Sequence, residues 1–233
     1  MQAGLKMFHT TLLFDLDGTL VDSVDGIHVA ASAAAAEIGG PTPTLDFVRH
    51  AIGRGVDLLL HRVGSGHQDG RVDPIRHALA RKRFDGVYAE SCLAGTTLRP
   101  GALEVMERFR LDGRRLVVAT NKPRRPAAII LGHLGLDRRV DGLFCPEDAG
   151  VRKPDPEFVR IAIGKGIRAE SLLVGDSSID AETARRSGIS FIAIRGGYDE
   201  GRSIDDLVPP PDLIVDEPHD LPEAIATLEE PRT

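Results

Sequence analysis

Residues 15–22 read Asp-Leu-Asp-Gly-Thr-Leu-Val-Asp at the end of an apolar run that spans Thr10 to Leu16. Side chains two apart on a strand share a face. Asp15 and Asp17 are therefore expected to point together into the crevice at the carboxyl end of a sheet, where open α/β folds bind ligands. Two adjacent carboxylates repel unless a hard cation or a shared proton neutralises them. The plainer reading, an acidic turn capping the next helix, suits Asp22 or Ser23 better than this pair, which is hemmed by Leu-Leu-Phe before and Gly-Thr-Leu after. Gly18 lets the backbone approach a ligand, and amides at the following helix start can meet an anion.

Three further segments leave expected strands or open expected helices with polar groups in hand. Val117–Pro123 ends a strand with Thr120, Asn121 and Lys122; Arg152–Pro156 sets Lys153 before a proline-opened helix; Leu172–Asp180 ends a strand with Asp176 and Asp180 four residues apart. Taken singly, each has an ordinary explanation as a helix cap or a surface charge.

Positioning such residues needs a sheet, and the chain alternates accordingly. Strands are expected at Thr10–Leu16, Arg115–Thr120, Gly142–Cys145, Ser171–Gly175, Ser190–Arg195 and Leu213–Val215, with helices at 102–111, 123–134, 156–165, 180–187 and 222–228. Continuous apolar strands such as Arg-Leu-Val-Val-Ala-Thr indicate a parallel, Rossmann-like α/β sheet covered by helices on both faces. Between the first strand and the rest, an alanine-rich helix (Val24–Ile38) and three amphipathic stretches run without a strand. An insertion of that length must form its own helical unit. The expected organisation is a core of residues 1–22 and 96–233 and an all-helical cap of residues 23–95.

Composition narrows the function. The chain has 233 residues, 42% hydrophobic and 27% charged, enough for a sizeable core. A net charge of -6 and 4% aromatics, with no Trp, argue against nucleic acid and anionic membranes as partners. Cys92 and Cys145 stand far apart, without metal-ligand spacing, as in a reduced cytoplasmic protein. The amino-terminal stretch is too short and too charged for a signal peptide or a membrane span. The arginine pairs at 114/115, 124/125, 138/139 and 185/186 read as solvated surface, and His28 as a weak candidate on the first cap helix.

As an ordered set, DLDGTLVDS, ATNKP, RKPDP and VGDSSID resemble the four motifs of the haloacid dehalogenase superfamily of phosphotransferases. The details, including Gly196-Gly197-Tyr198 and the tail PPDLIVDEPHDLP, are similar to its phosphoglycolate phosphatase group. The resemblance implies a phosphomonoester hydrolase acting on a small phosphorylated metabolite such as 2-phosphoglycolate. Asp15 is then the nucleophile that forms an aspartyl-phosphate, and Asp17 is the general acid and base, which requires a raised pKa that its neighbour Asp15 favours. The same resemblance gives Thr120 and Asn121 to the phosphoryl oxygens and Lys153 to charge neutralisation; Gly18 and Thr19 order and line the phosphate loop. Mg²⁺ is held by Asp15, Asp176 and the backbone carbonyl of Asp17, and Asp180 orients Lys153 or a metal-bound water. Arg54, in the turn Ile52–Val56, is a candidate for pairing with a substrate carboxylate, with a solvated arginine as the alternative. Counting Lys153 against four carboxylates leaves -3 at the site, which requires a cation before a phosphate dianion can enter.

Other readings stay open on sequence grounds. A phosphosugar phosphatase or mutase, or a pyrophosphatase, shares these motifs. A phospho-acceptor signalling module also combines acids, a hydroxyl and a lysine at strand ends, but in about half this length and without two acids on the first strand. A non-catalytic binding protein is expected to have lost at least one motif, and none is lost. Oligomeric state is not legible.

Overall fold

A computed structural model of the chain describes residues 8–230; residues 1–7, part of the amino-terminal stretch read above, and residues 231–233 lie outside the described residues. From the amino terminus, β1 (Thr11–Phe14) is followed by a two-residue strand β2 (Val21–Asp22). Helices α1 (Val24–Glu37), α2 (Leu45–Arg49), α3 (Val56–Ser65) and α4 (Pro74–Ser91) come next, then a second short strand β3 (Thr97–Leu98). Helix and strand then alternate through α5 (Ala102–Leu111), β4 (Arg115–Ala119), α6 (Arg124–His133), β5 (Gly142–Phe144), α7 (Pro146–Ala149) and α8 (Pro156–Ile163). β6 (Ser171–Gly175), α9 (Ser178–Ser187), β7 (Ser190–Ile194), β8 (Leu213–Val215) and α10 (Leu221–Glu229) complete the series.

The six longer apolar segments pair in the order β5-β4-β1-β6-β7-β8, every pairing parallel. Both faces are buried, as a sheet covered on two sides requires. Leu12 and Phe14 pack with Leu116, Val118, Leu172 and Val174 on one face, while Leu13 packs with Val117 and Leu173 on the other. β1 is central: Phe14 lies opposite Val118 of β4 and Val174 of β6, so three neighbouring strands end level and release Asp15, Thr120 and Asp176 side by side.

β1 is shorter than the sequence suggests. The Asp15 amide still reaches Val174 O at 2.9 Å, but beyond it the chain turns, with the amides of Thr19, Leu20 and Val21 all directed to Leu16 O and Gly18 at φ +87°. Asp17 is thus placed by a tight turn and not by strand alternation.

The four helices α1–α4 bury a cluster of their own. Ala30, Ala31, Ala34 and Ala35 are fully buried in α1, and their small side chains let α3 and α4 approach closely with Leu60 and Phe84. Where the chain leaves for these helices and returns, β2 and β3 pair antiparallel, Val21 opposite Leu98 and Asp22 opposite Thr97. Two-residue strands have no period, so the sequence carries no signal for this pair. Among the described residues, no helix is long and apolar enough to cross a membrane.

Candidate active site

At the exit of β1, Asp15 Oδ1 lies 3.0 Å from Lys153 Nζ and accepts the Leu16 amide at 2.8 Å. Lys153 is buried and also meets Asp180 Oδ1 at 2.7 Å. The second oxygen of Asp180 accepts the Ser177 amide at 3.2 Å and the Ser177 hydroxyl at 2.5 Å, closing the reciprocal cap that starts α9. Asp180 thus contacts Lys153 directly while capping α9. At the exit of β6, Asp176 accepts the Thr19 hydroxyl on Oδ1 and the Tyr198 amide on Oδ2 at 2.6 Å. Thr19 is therefore spent on Asp176 instead of a phosphate. A Cβ at Gly18 or Gly197 would lie 2.2 Å from Asp176 Oδ2, so the backbone wraps this carboxylate only because both positions lack side chains.

Carboxylate oxygens of Asp15, Asp176 and Asp180 lie within 4.8 Å of one another. Burial pushes Asp15 up from 3.8 to about 6, with Lys153 opposing and Asp180 adding to the rise. Asp176 is driven well above the ordinary carboxylate range by burial, then by Asp180 and Asp15. Burial also works against the Lys153 ammonium, but Asp15 and Asp180 outweigh it and hold its pKa above the usual lysine value. The donor set suits a hard divalent cation, which prefers carboxylate oxygens and relieves this crowding of negative charge.

A pH dependence follows for the metal-free protein. Asp15 holds its proton more tightly folded than unfolded, so the folded state binds more protons between pH 3.8 and about 6 and Asp15's contribution to stability falls as pH rises through that window. The difference in unfolding free energy between the parent and Asp15→Asn isolates this contribution. It is expected to move against the parent from pH 4 to pH 7 in EDTA, and a flat difference would contradict the assigned environment.

Asp17 lines the same cleft but has different partners. Its two oxygens lie 2.8 and 2.9 Å from Lys122 Nζ, and Oδ1 also accepts the Ser23 hydroxyl at 2.5 Å. Its carboxylate is outside the three-acid cluster, so its expected share in metal binding rests on the backbone carbonyl alone. The charge nearest its side chain is Lys122, so the expectation that Asp15 tunes Asp17 by direct repulsion gains no support from the contacts. Each aspartate of the pair has its own lysine.

The remaining expected residues divide. Thr120 is buried beside Asp15 on the cleft wall, its hydroxyl accepting the Lys122 amide at 3.2 Å. The Asn121 side chain is not free for a phosphoryl group. Its Nδ2 donates to Gly53 O at 3.2 Å and Lys153 O at 3.1 Å, and its Oδ1 accepts the Lys153 amide at 2.9 Å. Arg54 turns out of the cleft onto Glu200, which it meets at 2.9 Å and which also binds Arg62 at 2.9 Å. His28 meets Pro43 O at 2.9 Å, away from the site. Cys145 has its thiol pushed up to about 12 by burial, which fits a structural and not a nucleophilic role.

Three residues matter more than their sequence context indicates. Lys122, a minor candidate, is the Asp17 counter-ion. Tyr198 donates from its backbone to Asp176 and from its hydroxyl to Asp22 Oδ1 at 2.7 Å, tying the Asp176 carboxylate to the start of the helical insertion. Arg99 donates to Gly18 O and Arg195 O, both at 2.8 Å, and so braces the Asp17 turn. The cleft over these groups is narrow, with a cavity of about 50 Å³, and has Asp15, Asp17, Thr120 and Asp176 on the sheet side and Ile27, Ile52, Val56, Leu59, Phe84 and Tyr88 on the helical side.

Comparison with known proteins agrees with this geometry. Residues 9–188 match the family model described as haloacid dehalogenase-like hydrolase. Phosphoglycolate phosphatase of Rhodobacter capsulatus is 33% identical over 193 residues, covering 80% of this chain and 84% of that protein. The Cereibacter sphaeroides protein of the same name is 36% identical over 187 residues, covering 80% and 85%. The crystal structure of a predicted phosphoglycolate phosphatase from Haemophilus somnus 129pt superposes with a TM-score of 0.85 at 26% identity, over 95% of this chain and 99% of that one.

Proposed function

Because the chain belongs to the haloacid dehalogenase-like hydrolases, we propose that it is a Mg²⁺-dependent phosphatase of a small phosphorylated metabolite, 2-phosphoglycolate before all others. The observation that carries this reading is the division between the two aspartates. Asp15 sits with Lys153 among the buried acids, and Asp17 sits with Lys122 under the helices. The names of the relatives in Rhodobacter capsulatus and Cereibacter sphaeroides support the substrate.

In the proposed reaction Asp15 attacks phosphorus, and the bond from phosphorus to the leaving oxygen breaks as Asp17 protonates that oxygen. Asp17 then takes a proton from water as the water attacks the aspartyl-phosphate, freeing Asp15 and inorganic phosphate. With its pKa at about 6, Asp15 is ionised at neutral pH and needs no separate base. Lys153 steadies the nucleophile and the charge that gathers on the phosphoryl oxygens, beside the Thr120 hydroxyl. Asp15, Asp176 and the Asp17 carbonyl would hold Mg²⁺, which supplies positive charge to the phosphoryl oxygens and the nucleophile when bound. Four site carboxylates and two site lysines leave a formal charge of -2, which a divalent cation cancels.

We assign residues 1–22 and 96–233 to a catalytic core and 23–95 to a cap that shields the reaction from water. Contacts of Gly53 with Asn121 and of Arg62 with Glu200 support that closure. Two buried free cysteines suit the reducing cytoplasm.

Phosphate release from a panel of esters tests the reading. EDTA is expected to abolish release and Mg²⁺ to restore it, with 2-phosphoglycolate preferred over glucose phosphates. Mg²⁺ should also raise the melting temperature, since at about a hundredfold excess over Kd a ligand specific to the folded state adds about 2.7 kcal/mol. Release that is indifferent to EDTA, or absent with every ester, contradicts the proposal.

A further inference from the structure

The cap wall of the cleft is apolar except at one point. Ile27, Ile52, Val56, Leu59 and Phe84 offer no hydrogen bonds from their side chains, whereas Tyr88 of α4 brings a hydroxyl. Tyr88 is 4% exposed, and its hydroxyl makes no hydrogen bond of good geometry among the described residues; the polar group beside it is the Lys122 ammonium. A phenol buried without a hydrogen bond of good geometry favours a ligand that can accept from it. Burial pushes the phenol up to about 12, with Asp17 adding to the rise and Lys122 opposing it, so it remains a donor at neutral pH.

Beside it stands the one cation among the described residues lining the cleft. Lys122 Nζ lies 5.0 Å from the Tyr88 ring centroid and donates to both oxygens of Asp17, so its ammonium stands between that carboxylate and the Tyr88 hydroxyl. Arg54 does not compete for the role. Its neighbours Gly53 and Gly55 line the cleft, but its guanidinium is held by Glu200.

Resting on the hydrolase reading above, we propose that Tyr88 and Lys122 together receive the carboxylate of a short phosphorylated acid. The Tyr88 hydroxyl donates to the carboxylate, Lys122 supplies the counter-charge, and the scissile phosphate sits over Asp15. The class of substrate follows. A two-carbon acid places its carboxylate at the polar side chain of the cap wall, whereas a sugar phosphate would press several hydroxyls against aliphatic side chains.

The test compares kcat/KM for 2-phosphoglycolate with that for ethyl phosphate, which has the same phosphate ester without the carboxylate. Measurements use the full chain with Mg²⁺, in the parent, in Tyr88→Phe and in Arg54→Ala. The parent is expected to favour 2-phosphoglycolate, and Tyr88→Phe to lower that preference roughly tenfold, the loss of one hydrogen bond to a charged group, mainly through KM. Because Phe keeps the ring packing and removes a hydroxyl without a hydrogen bond of good geometry, the melting temperature should hold or rise; a hydroxyl of purely structural value would lower it. An unchanged preference in Tyr88→Phe overturns the assignment, as does a collapse in Arg54→Ala, which would move carboxylate recognition to that arginine. If the parent hydrolyses 2-phosphoglycolate and the Tyr88→Phe preference is unchanged, only this inference falls. If the parent hydrolyses neither ester, the substrate reading falls and takes this inference with it.

Discussion

Asp15→Asn is expected to reduce phosphate release by at least about 10⁴-fold, the scale on which enzymes lose turnover when a covalent nucleophile is removed. The amide keeps the volume of the carboxylate but has no anionic oxygen to attack phosphorus, and it also withdraws one charge from the three-acid cluster. The fold should survive. Lys153 retains Asp180 at 2.7 Å, and the carboxylate that is lost is one whose ionisation burial already opposes. The metal-free variant should therefore melt at or above the parent's temperature near neutral pH while being inert. Phosphate release at parental rates would remove Asp15 from the chemistry, and loss of the folded state would show that its role is structural.

The second large effect falls on Lys153. Its ammonium is buried between Asp15 and Asp180, with Asp176 in the same cluster, so Lys153→Met leaves three neighbouring buried acids without their cation. Removing one partner of a buried pair typically costs about 3–5 kcal/mol, which chemical denaturation in EDTA will read directly. Turnover should fall by about 10²–10³-fold, the usual loss when one group stabilising transition-state charge is deleted. The two effects separate with metal. Mg²⁺ should return part of the stability by neutralising the acids, but not the turnover, because Lys153 also meets the charge that develops on the phosphoryl group. Parental stability without metal would mean that the acids are not crowded as described.

The parallel core was legible because strands buried on both faces are continuous apolar runs, and Asp15 and Asp176 were legible at strand ends, with Lys153 before a proline-opened helix. What escaped reading depends on partners far along the chain. The hydroxyl of Tyr198 accepts the Ser23 amide across 175 residues, and Arg54 is turned aside by Glu200, 146 residues away. Neither relation leaves a mark in local composition or period. Asn121 is a similar case: an amide after a strand can meet a ligand or bind two loops, and here it binds the loops of Gly53 and Lys153. The site charge shows how small a change of partner matters. Without Lys122 the formal count is -3, and with its ion pair to Asp17 it is -2.

The most direct test of the central claim, that the Asp15 carboxylate attacks phosphorus, is peptide mass spectrometry of the parent enzyme quenched in acid during turnover of 2-phosphoglycolate. The account predicts phosphate on the peptide that contains Asp15, with fragmentation placing it on that residue, and none in Asp15→Asn. Phosphate found on Asp17, or an unmodified peptide under steady turnover, would contradict it.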